Sequence, residues 1–370
     1  MTTSQIVAAR RSAVAPRNGR LADLALHDLA APVLRQVLAD AGLPAERVGE
    51  VVLSNGLGGG GNPARVVALA AGLPWSVAGL SVDRQCAGGL DALLIADAMI
   101  RAGQHEVVVA GGAESYSRRP LRYRTFADGR DPQPYEQAPF TPWPDRDPDM
   151  AVAADRLAAA QGIDRAEQDA WAIASHQKAR AVPDAVLADQ ICAVAGLTRD
   201  TFTRDLGPRH CARAKVVSGS VTAANMAVAA DAAAFVVVVS DRVARSLPGP
   251  AVALVAGATT GDDPELPGIA PVRAIQALLA ATGTAVGDLD VAEIMEAFAV
   301  QAIACQRGAD LPGAIVNPQG GALARGHPIG ASGAILAVSL FHRLRRGGGT
   351  GLAAIAAAGG LGTALLARAG

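Results

Sequence analysis

The chain has 370 residues, 51% of them apolar and 18% charged, with a formal net charge of −1. That balance excludes a disordered chain and leaves no global field to attract nucleic acid or an anionic membrane. The length calls for two or three packed units rather than one core.

Four cysteines (Cys86, Cys192, Cys211, Cys305) stand far apart with no C-x-x-C pair. This argues against a disulfide framework or a metal site and for a cytoplasmic location. The start, MTTSQIVAARRSAVAP, has arginines where a signal peptide needs its apolar core. The run AAAFVVVVS at 232–240 falls well short of the roughly 20 residues a membrane helix needs. The only lysines, Lys178 and Lys215, lie outside any glycine-rich stretch, so Schiff-base chemistry has no good candidate.

In chain order, ADLALHDLAAPVLRQVLADAG at 22–42 spaces its apolar residues as a helix does and stops at Gly42. GEVVLSNGL at 49–57 reads as a buried strand, 90–101 as a helix, and HEVVVAGGAES at 105–115 as a strand ending in a diglycine. From 116 to 147 the composition turns to Pro, Arg, Asp and aromatics, which predicts a long irregular surface insertion. Helical spacing returns at 150–182, with Asp164 placed to cap and Glu167 three residues on. A loop-rich stretch runs to about 220, and 221–240 predicts core-like helix followed by strand.

The pattern then repeats. VGEVVLSNGL (48–57) is matched in kind by VAEIMEAFAV (291–300), and the unit of Cys86, glycines, helix, strand and diglycine is echoed by 326–362. Two similar α/β halves would bring their glycine-rich loops face to face, a natural place for a shared site.

Cys86 stands at the start of a helix and is followed by glycines that permit close approach. Partial positive charge there favours the thiolate, although a small buried hydrophobe is the competing reading. His327, between Gly326 and Pro328 in a glycine-rich run, is poor core filler. A histidine facing a cysteine activates the thiol or hydrogen-bonds a developing oxyanion. The remaining five histidines sit in contexts that need no chemistry. Gly360, in AAAGGLGTA (356–364), offers a backbone N–H for an oxyanion hole or merely closes a tight turn.

Taken in order, QCAGGLDA (85–92), VVAGGAES (108–115), MEAFA (295–299), GGALARGHPIGASG (320–333) and AAAGGLG (356–362) resemble the motifs of the thiolase family over nearly the whole chain. The resemblance implies a five-layered α-β-α-β-α fold built from two repeated halves. These are an N-terminal half, 1–117 plus 220–248, and a C-terminal half, 249–370, with a loop domain inserted at 118–219. It implies a CoA thioester substrate, an acyl group carried on Cys86, His327 as its partner and no bound cofactor. Asn225, Ala227, Ala297 and Phe298 fall in segments that line the family's substrate channel, and Arg213 and Lys215 could meet a nucleotide phosphate. A homodimer is implied. Family tetramers use a hairpin in the loop domain, which 118–147 does not resemble.

The pattern is broken at several places. The family's second cysteine, which moves the α-proton, is Ala356 here. The asparagine that anchors an oxyanion-site water is Met295. The serine facing the pantetheine is Ala227, and a loop-domain histidine is Asp149. The reading is therefore an acyltransferase that forms an acyl-enzyme on Cys86 from an acyl-CoA or acyl-carrier thioester, with non-standard second-step chemistry. An ordinary acetyl-CoA acetyltransferase and a non-catalytic scaffold subunit are the alternatives.

Overall fold

The structure, a computed structural model, describes residues 3–370. Its first half runs β1 (Ser4–Ser12), α1 (Leu26–Ala41), β2 (Glu50–Ser54), α2 (Pro63–Ala70), β3 (Ala78–Val82), α3 (Gly88–Arg101) and β4 (Val107–Glu114). The insertion carries the hairpin β5 (Arg122–Arg124) and β6 (Gln133–Tyr135), then α4 (Met150–Gln161) and α5 (Arg165–Arg180). The chain rejoins the first sheet as β7 (Ala230–Ser240). The second half runs β8 (Val252–Gly261), α6 (Ala270–Thr282), β9 (Val291–Ile294), α7 (Ala299–Gly308), α8 (Ile329–Gly347), β10 (Thr350–Ala357) and β11 (Leu361–Ala369).

Local chemistry sets the boundaries. α1 stops because Gly42 adopts a left-handed φ of 64° and its N–H returns to the Ala39 and Leu38 carbonyls. Asn62 accepts from the Arg65 N–H to start α2 with Pro63 at its first position, and Asp164 does the same for α5 through Glu167 N–H. β7 is buried along its whole length, which is why ADAAAFVVVVS shows no polar alternation.

Each half repeats one strand order. In the first sheet it is β1-β7-β4-β2-β3, and in the second β8-β11-β10-β9, with Val316 bridging β9 at Ala292 in the place that β3 occupies beside β2. The senses match as well: the first three strands of each order pair antiparallel and the outer ones parallel. The sheets continue into one another where Ser4–Ile6 of β1 pairs antiparallel with Val252–Leu254 of β8.

Helices α3 and α8 lie together between the sheets, α1 and α2 cover the outer face of the first, and α6 covers that of the second. The result is the five-layered α-β-α-β-α arrangement. Phe341 of α8 anchors the middle layer and Phe235 of β7 faces α1. Burying such a ring contributes about 2–3 kcal/mol.

Two expectations need correction. The insertion is not irregular throughout, because Arg122–Arg124 and Gln133–Tyr135 do form a hairpin. Pro134 and the flanking charges obscure its alternation. The expected helix in 221–229 is absent: 221–222 pair as a short strand, 223–225 turn, and 226–229 run alongside residues 297–299 and His327.

Candidate active site

The nucleophile turn is Gln85–Ala87, directly before α3. Gln85 has a left-handed φ of 49°, a conformation costing a non-glycine residue about 1–3 kcal/mol, and Asp83 supports it by accepting the Gln85 N–H at 2.9 Å. His327 lies across the central layer, immediately before α8. Its N–H donates to Val228 O at 2.7 Å, which fixes the ring's position beside 225–229.

The helix starts of α3 and α8 meet backbone to backbone. A Cβ on Gly89 would sit 2.7 Å from Ala334 N and 2.8 Å from Gly330 O, and one on Gly333 would strike Leu90. Only glycine allows this approach. The approach brings Cys86 Sγ to 3.0 Å from His327 Nε2. The other ring nitrogen, Nδ1, is 2.7 Å from Ser332 Oγ, and that hydroxyl donates to Pro328 O at 3.1 Å. Both residues are part-exposed.

Burial governs their protonation. It pushes the Cys86 thiol up to about 12, with Glu114 and Asp83 adding to the rise, and holds His327 down at about 4. The thiolate expected from the helix start is therefore not the resting form; desolvation outweighs the helix end. The resting pair is thiol and neutral imidazole.

Glu114, which the sequence reading did not single out, stands behind the turn. Its carboxylate accepts from Gly330 N (2.9 Å), Gly56 N (3.1 Å), Leu57 N (3.2 Å) and Asn55 Nδ2 (2.7 Å). It thereby ties the start of α8 to the loop after β2. Burial still raises it to about 7 against those donors. Its position as the last residue of β4, after the GGA of GGAES, was the available signal.

The substrate-segment residues fall into two groups. Ala227 N donates to Ala297 O at 3.0 Å, Met226 bridges Phe298, and Ala229 bridges His327, so this strip runs up to the imidazole. Asn225 belongs to the strip but is fully buried. Its amide accepts from Thr222 N (2.7 Å) and donates to Asp169 (3.0 Å) and Ser220 O (3.2 Å), so it shapes the loop. Arg213 lies apart, exposed at the end of the short helix Pro208–Arg213, with no ion pair among the described residues.

Ala356 lies in β10 opposite Gly362 and is part-exposed, while the Met295 side chain is packed into the middle layer at 1% exposure. Neither can move a proton or anchor a water. Gly360 occupies the turn between β10 and β11 at φ 76°, its carbonyl accepting from Asp262 N at 2.6 Å. Asp149 caps α4 by accepting from Ala151 N. Glu296 accepts from Trp171 Nε1 (3.1 Å), Ser175 Oγ (2.6 Å) and Asn317 Nδ2 (2.8 Å), joining α5 to the loop that leads to His327.

Among the described residues there is no cluster of three or more metal-ligating side chains, and no helix is long and apolar enough to cross a membrane. A cavity of about 340 Å³ opens beside the 58–61 glycine loop, Glu114 and Arg118; Cys86 and His327 do not line it.

The chain matches the models "Thiolase, N-terminal domain" over residues 4–242 and "Thiolase, C-terminal domain" over 249–369. It is 39% identical to the YhfS protein of Bacillus subtilis over 98% of both chains, and 38% identical to an acetyl-CoA acetyltransferase of Pseudomonas aeruginosa over 98% of both. The crystal structure of the Bacillus anthracis acetyl-CoA acetyltransferase superposes with a TM-score of 0.93 at 33% identity, covering 100% of this chain and 99% of that one. The chain belongs to the thiolase family.

Proposed function

We propose that Cys86 takes the acyl group from an acyl-CoA or acyl-carrier thioester and that His327 handles its proton. The protein is an acyltransferase of the thiolase family. The observation that carries the reading is the 3.0 Å separation of Cys86 Sγ and His327 Nε2. Sγ attacks the thioester carbonyl while its proton passes to Nε2. The tetrahedral oxyanion is received by backbone N–H at the Gly360 turn. The C–S bond of the donor then breaks, and its thiolate takes the proton back from the imidazolium.

The second step departs from the ordinary one. With alanine at 356 and methionine at 295, no side chain at those positions removes an α-proton. A decarboxylative condensation makes its carbanion by losing carbon dioxide, and transfer to an oxygen, nitrogen or sulfur acceptor needs none. The strip of Ala227, Ala297 and Phe298 would carry the pantetheine arm, with Arg213 and Lys215 outside it for phosphate. An ordinary acetyl-CoA acetyltransferase is the second reading, favoured by the name of the Pseudomonas relative. We place the protein in the reducing cytoplasm on its four free cysteines.

A homodimer is also proposed. Among the described residues the outer edge of β3 is unpaired; the strand carries Leu80, 38% exposed, and Trp75, 88% exposed, precedes it. Light scattering that found only monomer would remove it.

Intact-protein mass spectrometry after incubation with a panel of acyl-CoAs tests the main reading. A stable acyl adduct that Cys86→Ala lacks is expected. No adduct with any donor would leave the non-catalytic scaffold as the better account.

A further inference from the structure

We propose that Asp200, carried by the inserted segment, positions His327 by holding Arg325 against Arg11 of the first half. Arg11 Nη1 and Nη2 donate to the two Asp200 oxygens at 2.6 and 3.0 Å, Val14 N donates to Oδ1 at 2.9 Å, and Arg325 Nε lies 3.5 Å from Oδ2. The side chains of Arg11, Asp200 and Arg325 are 0%, 8% and 5% exposed. One carboxylate thus stands between two guanidiniums out of water, where their mutual repulsion is poorly screened. The three residues come from β1, the insertion and the loop that ends in His327, so the contact joins all three parts of the chain.

The same loop hangs from the insertion at further points. Lys178 Nζ donates to Val316 O (2.9 Å), Gln190 Nε2 to Gln319 Oε1 (2.9 Å) and Thr203 Oγ1 to Ala324 O (3.0 Å), while Ser175 Oγ accepts from Gly321 N (3.0 Å). Arg325 itself braces the loop by donating to Gln319 O at 2.9 Å. His327 follows after one glycine, Gly326, whose φ of 114° belongs to no helix. A shift of Arg325 therefore passes to the imidazole, and the sulfur–nitrogen contact tolerates little. Asp200 touches neither reacting atom; it is a positioning residue acting through Arg325.

The test reads Cys86 alkylation by iodoacetamide against pH, followed by peptide mapping, and so does not depend on acyl-CoA being the substrate. Asp200→Asn leaves two guanidiniums facing each other and should slow Cys86 alkylation about tenfold or more. Its pH profile should climb steadily with pH, as for a thiol that burial holds up at about 12 and that no well-placed imidazole deprotonates. Arg325→Leu removes the handle without the repulsion and should slow it less. The double variant should match Arg325→Leu, because the two residues act through one contact. Penalties that multiply in the double variant, or wild-type rates in both single variants, overturn the proposal. Should Asp200→Asn fail to fold, Arg325→Leu decides alone: Asp200 keeps Arg11 there, so an unchanged melting temperature with slowed alkylation supports the assignment, and wild-type alkylation overturns it.

Discussion

Ser332 Oγ stands 2.7 Å from His327 Nδ1 and 3.1 Å from the Pro328 carbonyl. A hydroxyl has one proton to give. Donating it to the carbonyl leaves the serine oxygen to accept from Nδ1–H, so Nε2 faces Cys86 without a proton and can act as a base.

Ser332→Ala frees the ring to take the other tautomer. Acyl-enzyme formation should slow about tenfold, while Ser332→Thr, which keeps the hydroxyl, should stay near wild type. Single-turnover acylation gives the rate, and ¹⁵N shifts of the ring nitrogens give the tautomer. If alanine leaves both unchanged, the serine has no hand in it.

A thiol pushed up to about 12 beside an imidazole held down at about 4 stays un-ionised across the neutral range. Acylation then depends on proton transfer within the pair rather than on a pre-formed thiolate. The rate should be nearly flat from about pH 6 to pH 9, where a free thiol would climb through about 8.5. His327→Ala should cost roughly 10²- to 10⁴-fold and make the rate rise with pH across this range without levelling, because burial still holds the unaided thiol up at about 12. Stopped-flow acylation over pH measures both, and a wild-type profile with a free-thiol midpoint contradicts the neutral pair.

The sequence exposed the pair and the repeat because both are written in local pattern. Cys86 and His327 each stand among glycines at a helix start, and glycines where backbones touch, such as Gly89 and Gly333, have few substitutes. What it hid was non-local. Asp200 and its two arginines are far apart in the chain, and Glu114 and Ser332 look like ordinary polar residues until their partners are in place. The thiolate expectation failed because a helix start is visible in sequence and the depth of burial is not. Residues 221–229 read as helical from alanine and methionine, yet a turn at 223–225 and the bonds of Asn225 and Ala227 to Ala299 and Ala297 keep them out of a helix. Tertiary contact overrode propensity there.

Ala356 and Met295 make separable predictions, since one methyl is part-exposed and the other side chain is packed in the core. Ala356→Cys adds a thiol where there is room and should raise acetoacetyl-CoA thiolysis by about 10²-fold or more. Met295→Asn places an amide among apolar neighbours and should destabilise the fold by roughly 1–3 kcal/mol unless a water enters with it. Thiolysis assays and urea melts on the singles and the double separate the two effects. Wild-type protein already running thiolysis at the rate of an ordinary thiolase would show that another group performs the task of the missing cysteine.

Glu293 carries the last prediction. It lies on β9 at 1% exposure, with no hydrogen-bond partner for Oε1 among the described residues. Burial raises it to about 7, opposed by Arg325 and Arg343. The native state therefore holds this proton up to near 7, whereas the unfolded chain releases it at the ordinary value of about 4.3. Between those values the native state binds more protons, so this group's contribution to stability falls as pH rises and is fully lost above 7. His176, His327 and His342, each held at about 4, work in the opposite direction as pH falls below about 6.5, but a change at Glu293 leaves them in place, so they cancel when a variant there is compared with wild type. Glu293→Gln should thus be more stable than wild type at pH 8, by an amount on the order of 2 kcal/mol, with the gap closing toward pH 5. Urea melts at the two pH values measure it. A variant weaker than wild type at pH 8 would mean that Arg325 and Arg343 hold the carboxylate ionised more strongly than burial opposes it.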